Sequence, residues 1–396
     1  MLNEAATARP VGVAVATPFL PELESLRGIA IALVVLFHID SRVTFFEPKE
    51  TIRAVSPLFA FVRAGNTGVA LFFILSAFLL SMPFLAQAAG GKHVSVQRYA
   101  SRRALRILPL YYCAVLAAAI LSASAPRDLL RGFPYLLFLN GFPGMTTPLP
   151  PYSNVWWSLA TEAEFYVLLP LLPFAFGSRL RRAGGAIALA VICVLYLTFV
   201  ARVWKARTIE GQLILLASVL GRAPMFLAGI ACAWLYLRYG DALRRRLAAS
   251  RALRSGGADL IFLAALTALG FLLQWAVLMG PRVSNAYYEL WTVVQAGLWA
   301  AVLLLLLLAP LRCKPLLSNT WLNRLGVLSY SLYIVHLPII LPLFNTLSVR
   351  WDLAPGWNVY NGLLTALAIV ICIAVSEVTY RCIERPFLVR KERVRA

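Results

Sequence analysis

Uncharged apolar blocks recur along the chain, separated by short polar segments, and two of them read FFILSAFLLSMPFLA (72–86) and LWTVVQAGLWAAVLLLLLLAPL (290–311). A helix of roughly 18 to 25 such residues crosses the ~30 Å hydrocarbon core of a bilayer. Ten spans of this kind are predicted, at 26–46, 68–88, 104–124, 155–176, 184–203, 211–237, 258–280, 289–310, 325–346 and 358–381. The fold class expected is an all-α polytopic membrane protein. The segment FPYLLFLNGF (133–142) is too short to cross and reads as a re-entrant or interfacial helix. Residues 1–20 read as a mobile N-terminal tail, 21–388 as the transmembrane domain and 389–396 as a basic C-terminal tail.

Composition agrees with this picture and charge refines it. Of the 396 residues 61% are hydrophobic and 14% charged, against about 25% charged in soluble proteins. The net charge of +20 comes from 37 Lys and Arg against 17 Asp and Glu. If both termini are cytoplasmic, most of the basic residues fall in cytoplasmic segments, as membrane topology favours. They cluster at Arg102, Arg103 and Arg106, at Arg179, Arg181 and Arg182, at Arg244, Arg245 and Arg246, and in the tail RKERVR, while Arg222 falls inside a predicted span. No RNA-binding pattern accompanies them, so nucleic acid is not an expected partner. The six cysteines are scattered without paired spacing, which points to neither a disulfide framework nor a zinc site, and no metal is expected. The N-terminus lacks the layout of a cleaved signal peptide.

Three histidines occur in the chain, and one ends the stretch RGIAIALVVLFH (27–38). The eleven residues from Arg27 to His38 rise about 16 Å in a helix and make close to three turns. With Arg27 at the membrane surface, His38 lies near the midplane and points the same way. A polar ring at that depth belongs against protein or a wet cavity; a structural histidine bonded to a neighbouring helix satisfies this as well as a reactive one. Two more spans carry ionisable groups. In WWSLATEAEFY (156–166), Ser158 and Glu162 share a helix face; in LSYSLYIVH (328–336), Ser329, Tyr333 and His336 do. A carboxylate, an imidazole that takes a hydroxyl proton and a second imidazole that bonds an oxyanion would make a general-base site. The same groups would also make the proton relay of a transporter.

The segment SRRALRILPLYY (101–112) opens the third predicted span, with Arg102 and Arg103 four and three residues before Arg106. Topological bias alone accounts for such a cluster. It also offers the paired N–H donors that grip phosphate oxygens, as a cytosolic phosphorylated donor such as coenzyme A would need.

Taken in order, these segments resemble the integral-membrane acyltransferase type 3 family from about residue 21 to 388. PELESLRGIAIALVVLFHI carries its R-x10-H pattern through Arg27 and His38. GVALFFILSAFLL (68–80) is similar to its second-span block, and RRALRILPLYY to its arginine block. WWSLATEAEFYVLLP supplies Trp157, Ser158, Leu159, Glu162, Phe165 and Tyr166. LGVLSYSLYIVHLPI supplies Ser329, Tyr330, Ser331, Tyr333 and His336, with weaker likenesses in GRAPMFLAGI (221–230) and the final IERPF. The chain departs from the family at Ala70, where Asp is frequent, at Ala77, where Gly is frequent, and at Val155, where many members have His.

The resemblance implies transfer of an acyl group, often acetyl, from cytosolic acyl-CoA to a hydroxyl of a surface polysaccharide, another glycan, a lipid or a macrolide-type compound. The chain is similar to members without an appended esterase-like domain. The implied setting is a multi-pass protein of a bacterial inner membrane, with acyl-CoA as co-substrate and no bound cofactor. Arg102, Arg103 and Arg106 would hold the donor phosphates and Arg27 the mouth of the cavity. His38 would act as general base or accept the acyl group, with Glu162 orienting or charging the site. Ser158, Trp157, Tyr166, Tyr333 and His336 would shape the pocket, Tyr333 or His336 also polarising the thioester carbonyl. Two other readings stand beside it: a transporter of an acylated or lipid-linked glycan, and a catalytically silent sensor on the same scaffold.

Overall fold

In the computed structural model, residues 20–45, 56–139, 153, 155–175, 187, 190–191, 194–195, 198, 218–279 and 285–393 are described. Among them the regular structure is entirely helical. Six helical segments are long and apolar enough to cross a membrane: Thr67–Ala88, Val96–Ser122, Leu253–Met279, Leu290–Leu308, Lys314–Ser348 and Val359–Arg390. They match six of the predicted spans, and the chain is a multi-pass membrane protein. The spans predicted at 26–46 and 211–237 overlap the long helices Pro21–Val43 and Ala223–Ala249, which are more charged or more polar. Most of the span predicted at 184–203, like the mobile tail at 1–20, lies outside the described residues.

The helices that frame the site are α1 (Pro21–Val43), α2 (Thr67–Ala88), α3 (Val96–Ser122), α4 (Trp157–Leu168), α5 (Ala223–Ala249), α6 (Ala258–Met279), α7 (Asn285–Leu308), α8 (Thr320–Arg350), α9 (Val359–Thr379) and α10 (Arg385–Arg393). Helix α3 begins eight residues before its predicted start because Ser95 caps it, its hydroxyl accepting from the Arg98 N–H at 3.3 Å. The arginine block is therefore inside a helix. Helix α4 is short. Pro170 and Pro173 lack the N–H a continuing helix needs, and the stretch goes on as a 3-10 turn, Leu169–Leu171, and a last helical turn, Leu172–Ala175. Arg222, predicted within a span, is instead the residue before α5. The described part of the predicted re-entrant segment, 133–139, contains one helical turn, Phe133–Leu136, held by the Tyr111 hydroxyl on the Tyr135 carbonyl at 3.0 Å, and 140–142 lie outside the described residues. The tail from 389 continues α10 as far as Arg393.

Helices α1 and α8 run in the same direction. Ser25 bonds Asn323 at 2.8 Å, Arg27 bonds Ser329 at 2.9 Å, and His38 meets His336 farther along. Small residues let the two backbones touch: a Cβ on Gly326 would stand 1.9 Å from the Glu24 carbonyl oxygen, and one on Gly28 2.3 Å from that of Leu322. Some polar groups buried between helices are paired. Thr67 accepts from Gln295 and from the Trp299 indole, both at 2.8 Å. The close α1–α8 contact is the axis on which the site is built.

Candidate active site

A cavity of about 330 Å³ opens between α1, α2, α3, α4 and α8, within the size range of small-molecule sites. Arg27 from α1, Arg103 and Arg106 from α3, and Glu24 form its charged end. Ser76, Glu162 and Tyr166 stand along its side, and Ser158 with Tyr333 closes the other end. The phenol of Tyr333 lies 2.6 Å from the Ser158 hydroxyl and donates to the Val155 carbonyl at 2.5 Å. The Ser76 hydroxyl donates to the Glu162 carboxylate. Seven of the predicted site residues thus converge on one hollow: Arg27, Arg103, Arg106, Ser158, Glu162, Tyr166 and Tyr333.

The others are near but do not line it. Trp157 packs edge-on to the cavity residue Phe73, with the Arg222 guanidinium 5.2 Å from its ring centre. Arg102 is half-buried outside the lining. Successive helical residues are ~100° apart, so Arg102 and Arg103 flank Arg106 on opposite sides and only one flank faces the hollow. His38 and His336 lie beyond the Tyr333 end, less than one helical turn past it on α8.

The charged end is partly neutralised within the protein. Arg27 pairs with Glu24 at 3.2 Å and Arg106 with Glu384 at 2.7 Å. The Glu384 side chain is 1% exposed and also accepts from Ser331 at 2.9 Å. It enters from the π-helical turn Tyr380–Glu384 between α9 and α10. Arg103 has no carboxylate partner among the described residues and sits 5.9 Å from the Tyr166 ring centre. The sequence reading passed over Glu384, Ser76 and Glu24. The IERPF segment holds Glu384 and Ser76 interrupts an apolar block, but neither position announces its partner on another helix.

The two imidazoles form one unit. His38 Nδ1 lies 2.8 Å from the Val34 carbonyl, and His336 Nδ1 lies 2.8 Å from the Tyr333 carbonyl and 3.1 Å from that of Leu332. A carbonyl accepts only, so each neutral ring carries its proton on Nδ1. His336 Nε2 is then an acceptor, and it lies 3.3 Å from His38 Nδ1. The Nδ1–H of His38 is shared between the Val34 carbonyl and His336. That leaves His38 Nε2 with its lone pair and no hydrogen-bond partner among the described residues, as a base requires.

A family model described as an acyltransferase domain matches residues 20–377. Acyltransferase MdmB of Streptomyces mycarofaciens is 27% identical over 93% of this chain and 91% of its own length. Peptidoglycan O-acetyltransferase OatA of Listeria monocytogenes is 22% identical over 93% of this chain and 56% of its own length. O-acetyltransferase OatA of Staphylococcus aureus is 22% identical over 96% of this chain and 58% of its own length. No solved structure matches the chain.

Proposed function

We propose that this chain, which belongs to the membrane acyltransferase 3 family, moves an acetyl group from acetyl-CoA to a hydroxyl of a glycan or a related acceptor. The observation that carries the reading is the order of groups along the cavity and just past it: guanidiniums from α1 and α3, then a hydroxyl pair from α4 and α8, then the histidine pair of α1 and α8. Arg27, Arg103 and Arg106 would take the phosphates of the donor, Arg103 most freely because it has no carboxylate of its own. The pantetheine arm would run past Glu162 toward Tyr333. The relatives named O-acetyltransferases support acetyl as the group moved, and the one named for peptidoglycan supports a glycan hydroxyl as acceptor.

In this account the acceptor hydroxyl gives its proton to His38 Nε2 while its oxygen attacks the thioester carbonyl carbon. The C–O bond forms, the C–S bond breaks, and the departing thiolate takes the proton back from the imidazolium. The products are the ester and free coenzyme A. His336 holds the His38 Nδ1–H, so the imidazolium formed in mid-reaction keeps a partner. Tyr333 and Ser158 would flank the thioester carbonyl, and either hydroxyl would serve its oxygen only by giving up its present bond, Tyr333 to the Val155 carbonyl or Ser158 to Tyr333. We place ten spans in a bacterial inner membrane with both termini cytoplasmic, which puts the arginine end of the cavity at the cytosolic face; the basic clusters support that orientation.

The test is to incubate the purified protein in nanodiscs with radiolabelled acetyl-CoA and extracts of membrane and culture medium. Label entering a new ester supports the reading. Binding of acetyl-CoA with no label moved into any extract would count against acetyl or against the acceptor class. Movement of a glycan without acetyl-CoA consumption would replace the reading with a transporter.

A further inference from the structure

A second, smaller hollow of about 200 Å³ lies at the opposite end of the α1–α8 pair. Arg42, Phe45, Asn345, Ser348, Pro355 and Asn361 are among its lining residues. Arg42 is one helical turn beyond His38, about 6 Å along the axis, so the imidazole pair stands between the two hollows. The rim is built rather than loose. The Asn361 side-chain amide donates to the Ala354 and Gly356 carbonyls at 2.9 and 2.8 Å, and the Gly356 N–H bonds the Val43 carbonyl at 2.8 Å. Gly356 has a φ of 93°, a left-handed conformation that suits glycine at this tight return.

Arg42 is the charged group of this hollow. Its guanidinium carbon lies 5.1 Å from the Phe45 ring centre, its Nε is buried without a hydrogen bond, and no carboxylate pairs with it among the described residues. The nearest carboxylate in sequence, Asp40, is committed elsewhere: it accepts from the Trp357 indole at 2.7 Å and pairs with Arg63 at 3.3 Å. The Asn345 amide and the Ser348 hydroxyl also line the hollow and have no side-chain partner among the described residues. A half-buried cation beside free amide and hydroxyl groups has the donors that a polyhydroxylated anion would need.

We propose that this hollow is the acceptor site, and that it selects hydroxyl compounds bearing an anionic group, a carboxylate or a phosphate, through Arg42. The inference rests on the acyl-transfer reading for the word acceptor, and its test does not. Binding is measured without donor, by ligand-detected NMR on the full chain in nanodiscs, with three probes on one ring: D-glucose, D-glucuronate and D-glucose 6-phosphate. Wild type is expected to bind both anions about tenfold more tightly than glucose. Arg42→Gln is expected to bring all three to the same affinity, and Arg42→Lys, which keeps the charge, to retain most of the preference. A carboxylate-only or phosphate-only preference would identify the natural group. The proposal falls if wild type binds none of the probes, if glucose binds as well as the anions, or if the preference survives Arg42→Gln. If the preference holds while the protein moves no acetyl group, the catalytic reading falls and the anion site stands.

Discussion

His336 Nε2 lies 3.3 Å from His38 Nδ1, although 298 residues separate the two in sequence. Their helices meet close enough for this contact because Gly28 and Gly326 face a backbone rather than a side chain. The Val34 carbonyl and His336 Nε2 both take the His38 Nδ1–H, which leaves Nε2 free, and the chemistry proposed for the chain follows from that.

Replacing His336 by Phe is expected to leave the fold and donor binding intact and to slow turnover. One hydrogen bond to the base is lost, worth about 1 kcal/mol in the ground state and more once the ring is charged. The expected fall in kcat is roughly tenfold or more, with KM for acetyl-CoA little changed. His336→Gln, which keeps an acceptor near His38, is expected to recover part of the rate. Equal losses in the two variants would assign His336 to packing alone.

Gly326→Ala is expected to act on the scaffold. The new Cβ would stand 1.9 Å from the Glu24 carbonyl oxygen, so α1 and α8 must part. Overpacking of this kind costs about 1–3 kcal/mol. The melting temperature in detergent should fall, and activity should fall with it, because Arg27 and Ser329 separate together with the two histidines. An unchanged melting temperature would mean that the helices are not in contact here.

Arg106 and Glu384 give opposite expectations for the donor. Arg106→Ala leaves a carboxylate buried beside Ser331 without its counter-charge, a loss of about 3–5 kcal/mol for pairs of this type, and it removes a phosphate contact. Glu384→Gln instead keeps an acceptor for Ser331 and frees the guanidinium toward the cavity. The apparent KM for acetyl-CoA should rise in the first variant and fall in the second, with a steeper salt dependence in the second. A higher KM in both would make the pair purely structural.

Much of this site is legible along single helices. The eleven-residue step from Arg27 to His38 and the Ser329–Tyr333–His336 stripe are periodicities of one helix, and in the structure both sets of residues lie along the α1–α8 contact. The arginine block likewise shows one flank, Arg103 and Arg106, to the cavity. The partners across helices are not legible in this way. Glu384 meets Arg106 only because a π-helical turn swings it inward, and Ser76 meets Glu162 only because α2 lies beside α4. The spacing of Arg102 and Arg106 is as good a helical pair as Arg103 and Arg106, yet position on one helix does not say which flank another helix covers. The proline-broken course after α4 was marked in the sequence by Pro170 and Pro173, within a stretch whose hydrophobicity alone reads as a full span.

The most direct test of the account is the rate of acetyl transfer from acetyl-CoA by His38→Ala beside wild type, each purified in nanodiscs and shown to melt at the same temperature and to bind acetyl-CoA alike. A general base contributes about 10²–10⁴-fold, so the variant should lose at least a hundredfold in turnover with its donor affinity preserved. Turnover equal to wild type in the folded variant would contradict the assignment of His38 Nε2 as the base.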